Sequence, residues 1–169
     1  MKKLGQSGLH LRIVILAVSD SLVSTVGILA GVDVSGAPYE TVVLTGLVYA
    51  FVESFSMGVG TYISEESAEE YAAKTTVAPK RPFMAAVIMF FAWGGSAFIP
   101  LAPYLLLPDA ALPVSIVVSI LALFVAGVIG ARVSRLPVLW RGGRMALLGG
   151  VAILIGCLVG ITFKLIFHI

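Results

Sequence analysis

Two carboxylic acids fall inside stretches of this chain that are otherwise apolar: Asp20, in VSDSLVSTVGILAGV, and Glu53, in YAFVESFSMGVG. A charged side chain at the centre of a bilayer costs roughly 2.5–3.5 kcal/mol on insertion scales. A chain this apolar needs neither acid to fold, so both are candidate functional groups. On a helix, Asp20 shares a face with Ser24 and Gly27, and Gly31 continues that stripe. Ser19, Ser21 and Thr25 add oxygen atoms nearby. In the second stretch Tyr49, Glu53, Met57, Gly60 and Ser64 recur at helical spacing and form one face. A carboxylate followed one turn later by a thioether joins a hard ligand to a soft one. Such a mixture suits a transition metal such as Fe²⁺ or Mn²⁺ better than Ca²⁺ or Mg²⁺. The plainer alternatives are a protonated Asp20 that bonds a neighbouring helix, and a Met57 that fills space in a core.

Buried carboxylates also suggest an energy source. Burial favours the neutral form of an acid, whereas an approaching cation favours the carboxylate. Metal binding at Asp20 and Glu53 would expel protons and metal release would readmit them, which is the chemistry of a metal/proton antiporter. A second acidic feature is the run Glu65, Glu66, Glu69 and Glu70. Like charges three and four residues apart repel on a helix, and acids near its C-terminus oppose the macrodipole. The run reads either as a vestibule that concentrates cations or as a solvated helix end, partly neutralised by Lys74.

The elements that must position these residues are membrane spans. The chain has 169 residues, 59% hydrophobic and 12% charged, against about 25% charged in soluble domains. With a mean hydropathy of +1.07, it reads as a single all-α integral membrane domain. Five stretches are long and apolar enough to cross a bilayer: residues 9–32, 41–64, 83–107, 112–131 and 145–167. Gly36 and Pro38, Pro79 and Pro82, Pro108 and Pro113, and Gly142 and Gly143 punctuate them. Pro100 and Pro103 predict a kink in the third. The acidic segment, residues 65–82, is the only sizeable non-membrane piece, and its start continues the second helix. The basic N-terminal residues are read as flanking a retained first span rather than a signal peptide, because Asp20 interrupts the apolar run.

Lysine and arginine placement sets the orientation. With the N-terminus inside, Lys2, Lys3, Arg12, Lys74, Lys80, Arg81, Arg132, Arg135, Arg141 and Arg144 are cytoplasmic, and only Lys164 is outside. The expected topology is N-in/C-out, with Asp33, Glu40 and Asp109 in short outer loops. Net charge is only +2, and this pattern does not suggest nucleic-acid binding. One cysteine, Cys157, excludes a disulfide framework. His10 and His168 fall at opposite membrane ends. No Walker loop, serine–histidine–acid set or His-rich motif is present, so the chain is not expected to be an enzyme or to carry a prosthetic group.

These residues resemble the vacuolar iron transporter family. VSDSLVSTVGILAGV is similar to its first-span signature, DGLVST…AG, and SFSMGVGTYISEES to its second-span pattern, SMxxGxYxS. FIPLAPYLLL resembles the proline-containing third span and RGGRMALLGGVAILIGCLVG the glycine-rich fifth. The resemblance covers essentially the whole chain. It implies a two-fold homodimer that moves Fe²⁺, and often Mn²⁺, out of the cytosol in exchange for protons. It also implies a path at the dimer interface through Asp20 and Met57, and a plasma-membrane location in a prokaryote or an endomembrane, such as a vacuole, otherwise. Gly27 and Gly31 would then be the packing track that brings the two copies together. The chain departs from the pattern at Ser21, where the family has glycine, and at Tyr49, where it has a second-span glutamate. Glu53 stands one turn later as its replacement, and Thr61 occupies another position where bacterial members commonly have glutamate. The family's large cytoplasmic metal-binding domain is absent, leaving Glu65 to Glu70 as a minimal counterpart. The expected function is divalent-metal export, with Asp20, Glu53 and Met57 on the path and Ser24 as an auxiliary oxygen. A non-transporting membrane subunit and a proton-coupled carrier of another small solute are the alternatives.

Overall fold

A computed structural model describes residues 6–167 apart from Val77 and Arg135, so Lys2, Lys3, Arg135 and His168 lie outside the described residues. Five long helices occur in the order expected: α1 (Gln6–Val34), α2 (Tyr39–Ala73), α3 (Lys80–Leu106), α4 (Ala111–Val133) and α5 (Val138–Phe167). All five are long and apolar enough to cross a membrane. Their bounds follow the punctuation. Gly36 takes a positive φ of 88° in the α1–α2 turn, and Pro38 and Pro79 stand at the N-caps of α2 and α3. Leu107 leaves the helical region ahead of Pro108, which opens a 3₁₀ turn. α5 runs longer than expected, beginning at Val138 rather than residue 145. α2 continues past Ser64 to Ala73, about two and a half further turns, as the start of the acidic segment predicts.

α1 lies at the centre, packed against α5, α3, α4 and α2, whereas α2 joins the bundle chiefly through α3. Ala17, Leu22, Val26, Leu29 and Ala30 on α1 are fully buried, while α2 and α5 present Phe51, Phe55, Leu154 and Leu158 outward. α3 stays helical through Pro100 and Pro103. The Pro100 carbonyl accepts a hydrogen bond from Ser115 Oγ of α4 at 2.6 Å, which ties the two helices at that level.

The glycine track on α1 packs against α5 of the same chain. A Cβ on Gly31 would lie 2.7 Å from the Gly156 carbonyl oxygen of α5, and one on Gly27 would lie 3.3 Å from that of Ala152. In return, a Cβ on Gly156 or Gly160 would collide with the carbonyls of Gly27 and Gly31. The small-residue stripes that appear separately in the first and fifth spans are the two halves of one seam. Such seams are how helices associate where lipid removes the hydrophobic drive. Gly156→Val should therefore lower stability by 1–3 kcal/mol or more, the usual range for overpacking. Gly143→Ala, where a Cβ meets nothing within 4 Å, should behave as wild type in detergent melting and size-exclusion profiles.

Candidate metal site

Asp20 stands at the middle of α1 and is exposed on the surface of the chain. One side-chain donor holds it: Trp93 Nε1 of α3 donates to Asp20 Oδ2 at 2.9 Å. Trp93 is itself fully buried and fixed from behind. Its carbonyl accepts from Ser21 Oγ at 2.8 Å and from Ser96 Oγ at 3.0 Å. Its ring meets that of Tyr49 edge-on, with centroids 5.6 Å apart. The Tyr49 hydroxyl lies against Ser24, with the carboxylates of Asp20 and Glu53 within electrostatic reach. Asp20, Ser24, Tyr49, Glu53 and Trp93 thus belong to one neighbourhood built from three helices.

Met57 lies about two turns beyond Tyr49 on α2. It is half-buried against a core of Ala17, Ala50, Ala85, Met89 and Trp93. Glu53 is also half-buried, one turn from Tyr49 on α2. Ser24 Oγ is turned to its own helix and donates to the Asp20 carbonyl at 2.6 Å. Its other side lines an apolar groove of 590 Å³ between α1 and α5, which extends to Ser35 and Phe163. Among the described residues no three His, Cys, Asp or Glu side chains come close enough to hold a metal ion. One chain therefore offers an outward-facing carboxylate, with a second acid in electrostatic reach of the same tyrosine, rather than a closed cage.

The acidic run occupies the last turns of α2 and is drawn partly into local contacts. Glu66 Oε1 accepts from the Tyr62 hydroxyl at 2.9 Å, and Glu69 pairs with Arg81 of α3 at 3.7 Å. The Lys74 ammonium lies over the Tyr71 ring, 3.9 Å from its centroid, rather than on Glu70. Neutralisation of the run thus comes from across the α2–α3 connection. Asp33, expected in an outer loop, belongs to the last turn of α1 and accepts from the buried Tyr104 hydroxyl at 2.9 Å.

A model of the VIT family, the vacuolar iron transporters, matches residues 11–78 and 73–161. The chain belongs to the VIT family. A comparison with curated proteins gives no match. The two pieces of the VIT match meet at residues 73–78, in the connection between α2 and α3. VIT membership, with five apolar helices, makes this an integral membrane protein of a metal-ion transporter family.

Trp93 belongs to none of the motifs singled out in the sequence, yet it is the group that grips Asp20. The signal is chemical: an indole N–H in mid-span, away from the interfacial belt where tryptophans gather, needs an acceptor inside the protein. A double-mutant cycle tests the pair. Trp93→Phe and Asp20→Ala, alone and together, should give a coupling of about 1.5–3 kcal/mol, as expected for a hydrogen bond to a charged acceptor. Additive effects on unfolding would show that the bond contributes nothing.

Proposed function

We propose that this protein is a homodimeric exporter of Fe²⁺ or Mn²⁺ from the cytosol, driven by proton antiport. The carrying observation is Asp20, which faces out of the chain at the middle of α1 with one indole donor on it. A carboxylate presented to hydrocarbon is costly; a second copy across a two-fold axis would cover it and double the ligands, with a bound cation or protons offsetting the repulsion between the two acids. Asp20 and Met57 from each subunit then form the path, Glu53 supplies the further acid, and Ser24 adds an oxygen. The α1–α5 groove beginning beside Ser24 offers the partner a seat continuous with that face. Glu65, Glu66, Glu69 and Glu70 form a cytoplasmic vestibule in the N-in orientation favoured by ten of eleven basic residues. Protons displaced from the acids on loading, and returned on release, couple the two fluxes.

In proteoliposomes, Fe²⁺ or Mn²⁺ uptake should proceed with opposite proton movement, and Asp20→Ala or Met57→Ala should reduce it at least tenfold at equal reconstitution. Full activity in both variants would remove the site assignment, and metal flux without proton movement would remove the antiport. Asp20→Cys in a Cys157→Ser background should cross-link to a covalent dimer if the two copies face each other. Exclusively monomeric protein under mild oxidation would count against the shared site. Charge-neutral glutamines at residues 65, 66, 69 and 70 should raise the apparent KM several-fold at low salt and less at high salt, because salt screens such attraction. A KM unchanged at low salt would dismiss the vestibule.

A further inference from the structure

The buried polar side chains of the described residues are all hydroxyls: Ser21, Thr25, Ser54, Ser96, Ser115 and Ser119. Four of them donate to carbonyls: Ser21 to Trp93, Ser54 to Ala50, Ser96 to Ala92 and Trp93, and Ser115 to Pro100. Thr25 Oγ1 and Ser119 Oγ have no hydrogen-bond partner among the described residues, although both side chains are fully covered by protein.

Helical register puts the two at one level of the bundle. α1 and α3 run parallel, since Ser21 bonds Trp93 and, further along both helices, Asp33 bonds Tyr104. One turn beyond Ser21, Thr25 stands at the level of Ala97. α4 runs antiparallel to α3 and is tied to it at Ser115 and Pro100. One turn beyond Ser115, Ser119 stands at the level of Ser96. A third polar group lies in that layer. Pro100 has no N–H, so the Ser96 carbonyl loses its helical donor four residues on.

Leaving a buried donor unpaired costs about 1–3 kcal/mol, and the hydrocarbon around the bundle offers no remedy. A water held inside a protein needs two to four polar partners, and this layer supplies three between small side chains. We propose that the Thr25–Ser96–Ser119 layer binds one structural water. It accepts from the Thr25 and Ser119 hydroxyls and donates to the Ser96 carbonyl. The site needs neither metal nor dimer and stands apart from the proposed transport function.

The sign of a stability change tests it. Thr25→Val keeps the shape and removes the hydroxyl, and Ser119→Ala removes only the hydroxyl. With water bound, each should lower the melting midpoint of the full chain in detergent by about 2–4 °C. With a dry layer, removing an orphan hydroxyl would relieve a penalty, so an unchanged or raised midpoint in both variants overturns the proposal. An independent arm is a wild-type structure at a resolution that shows ordered water. Density between Thr25 Oγ1 and Ser119 Oγ supports the site. Hydroxyls bonded only to their own helices, with no density between them, overturn it even if the variants fail to fold.

Discussion

Trp93 is the residue on which the interior of this bundle turns. Its carbonyl takes two hydroxyl donors, one from α1 and one from α3, and its ring edge meets Tyr49 of α2. Its indole N–H reaches out to Asp20. The ring contributes packing area and the N–H contributes direction, a combination that an apolar side chain of similar size lacks. In a medium without water each of those contacts is hard to replace, because a freed donor or acceptor has nowhere else to bond. Trp93 therefore sets where α1 stands relative to α3, and with it where the Asp20 carboxylate at the edge of their contact points.

The position of α1 explains how one helix both builds the core and offers a ligand. Its inner face carries Ala17, Leu22, Val26 and Leu29, all fully buried. Its glycines are occupied by α5, whose Gly156 and Gly160 allow backbone to meet backbone. With α5 on the glycine seam and α3 behind Trp93, the Asp20 edge is left uncovered by the chain. That exposure is a consequence of where the small residues lie. A larger residue at Gly156 would push α5 away and leave α1 without the neighbour that fixes its rotation.

Much of the architecture was legible because hydropathy and proline punctuation act locally. Pro38, Pro79 and Pro108 mark helix starts without reference to any partner. The family was legible because Asp20 and Met57 sit in motifs of fixed spacing. Partner choice was not legible. The stripe at Gly27 and Gly31 announces close approach and says nothing of which helix approaches, and a stripe on α5 matched it equally well. Trp93 escaped for the same reason: its acceptor lies 73 positions away, and only the packing of α3 on α1 brings the two together. The neutralisation of Glu69 by Arg81 likewise depends on how residues between α2 and α3 fold back.

The uncovered carboxylate also bears on how little of a metal cage one chain needs. Among the described residues no three His, Cys, Asp or Glu side chains converge, and the proposed dimer would bring a second set of ligands. A tightly closed cage would in any case hold its ion, whereas transport requires release. In the proposed dimer, spreading the ligands over two copies would meet both points, with each subunit contributing a carboxylate and a thioether. A thioether is uncharged and packs as a core residue, as Met57 does at the edge of the cluster that includes Met89 and Trp93. The acid is the expensive member, and it is the one that the fold equips with a dedicated donor. On the proposed reading each subunit would carry a half-site, with Asp20 held by Trp93 and turned outward, where a partner and a cation would meet it.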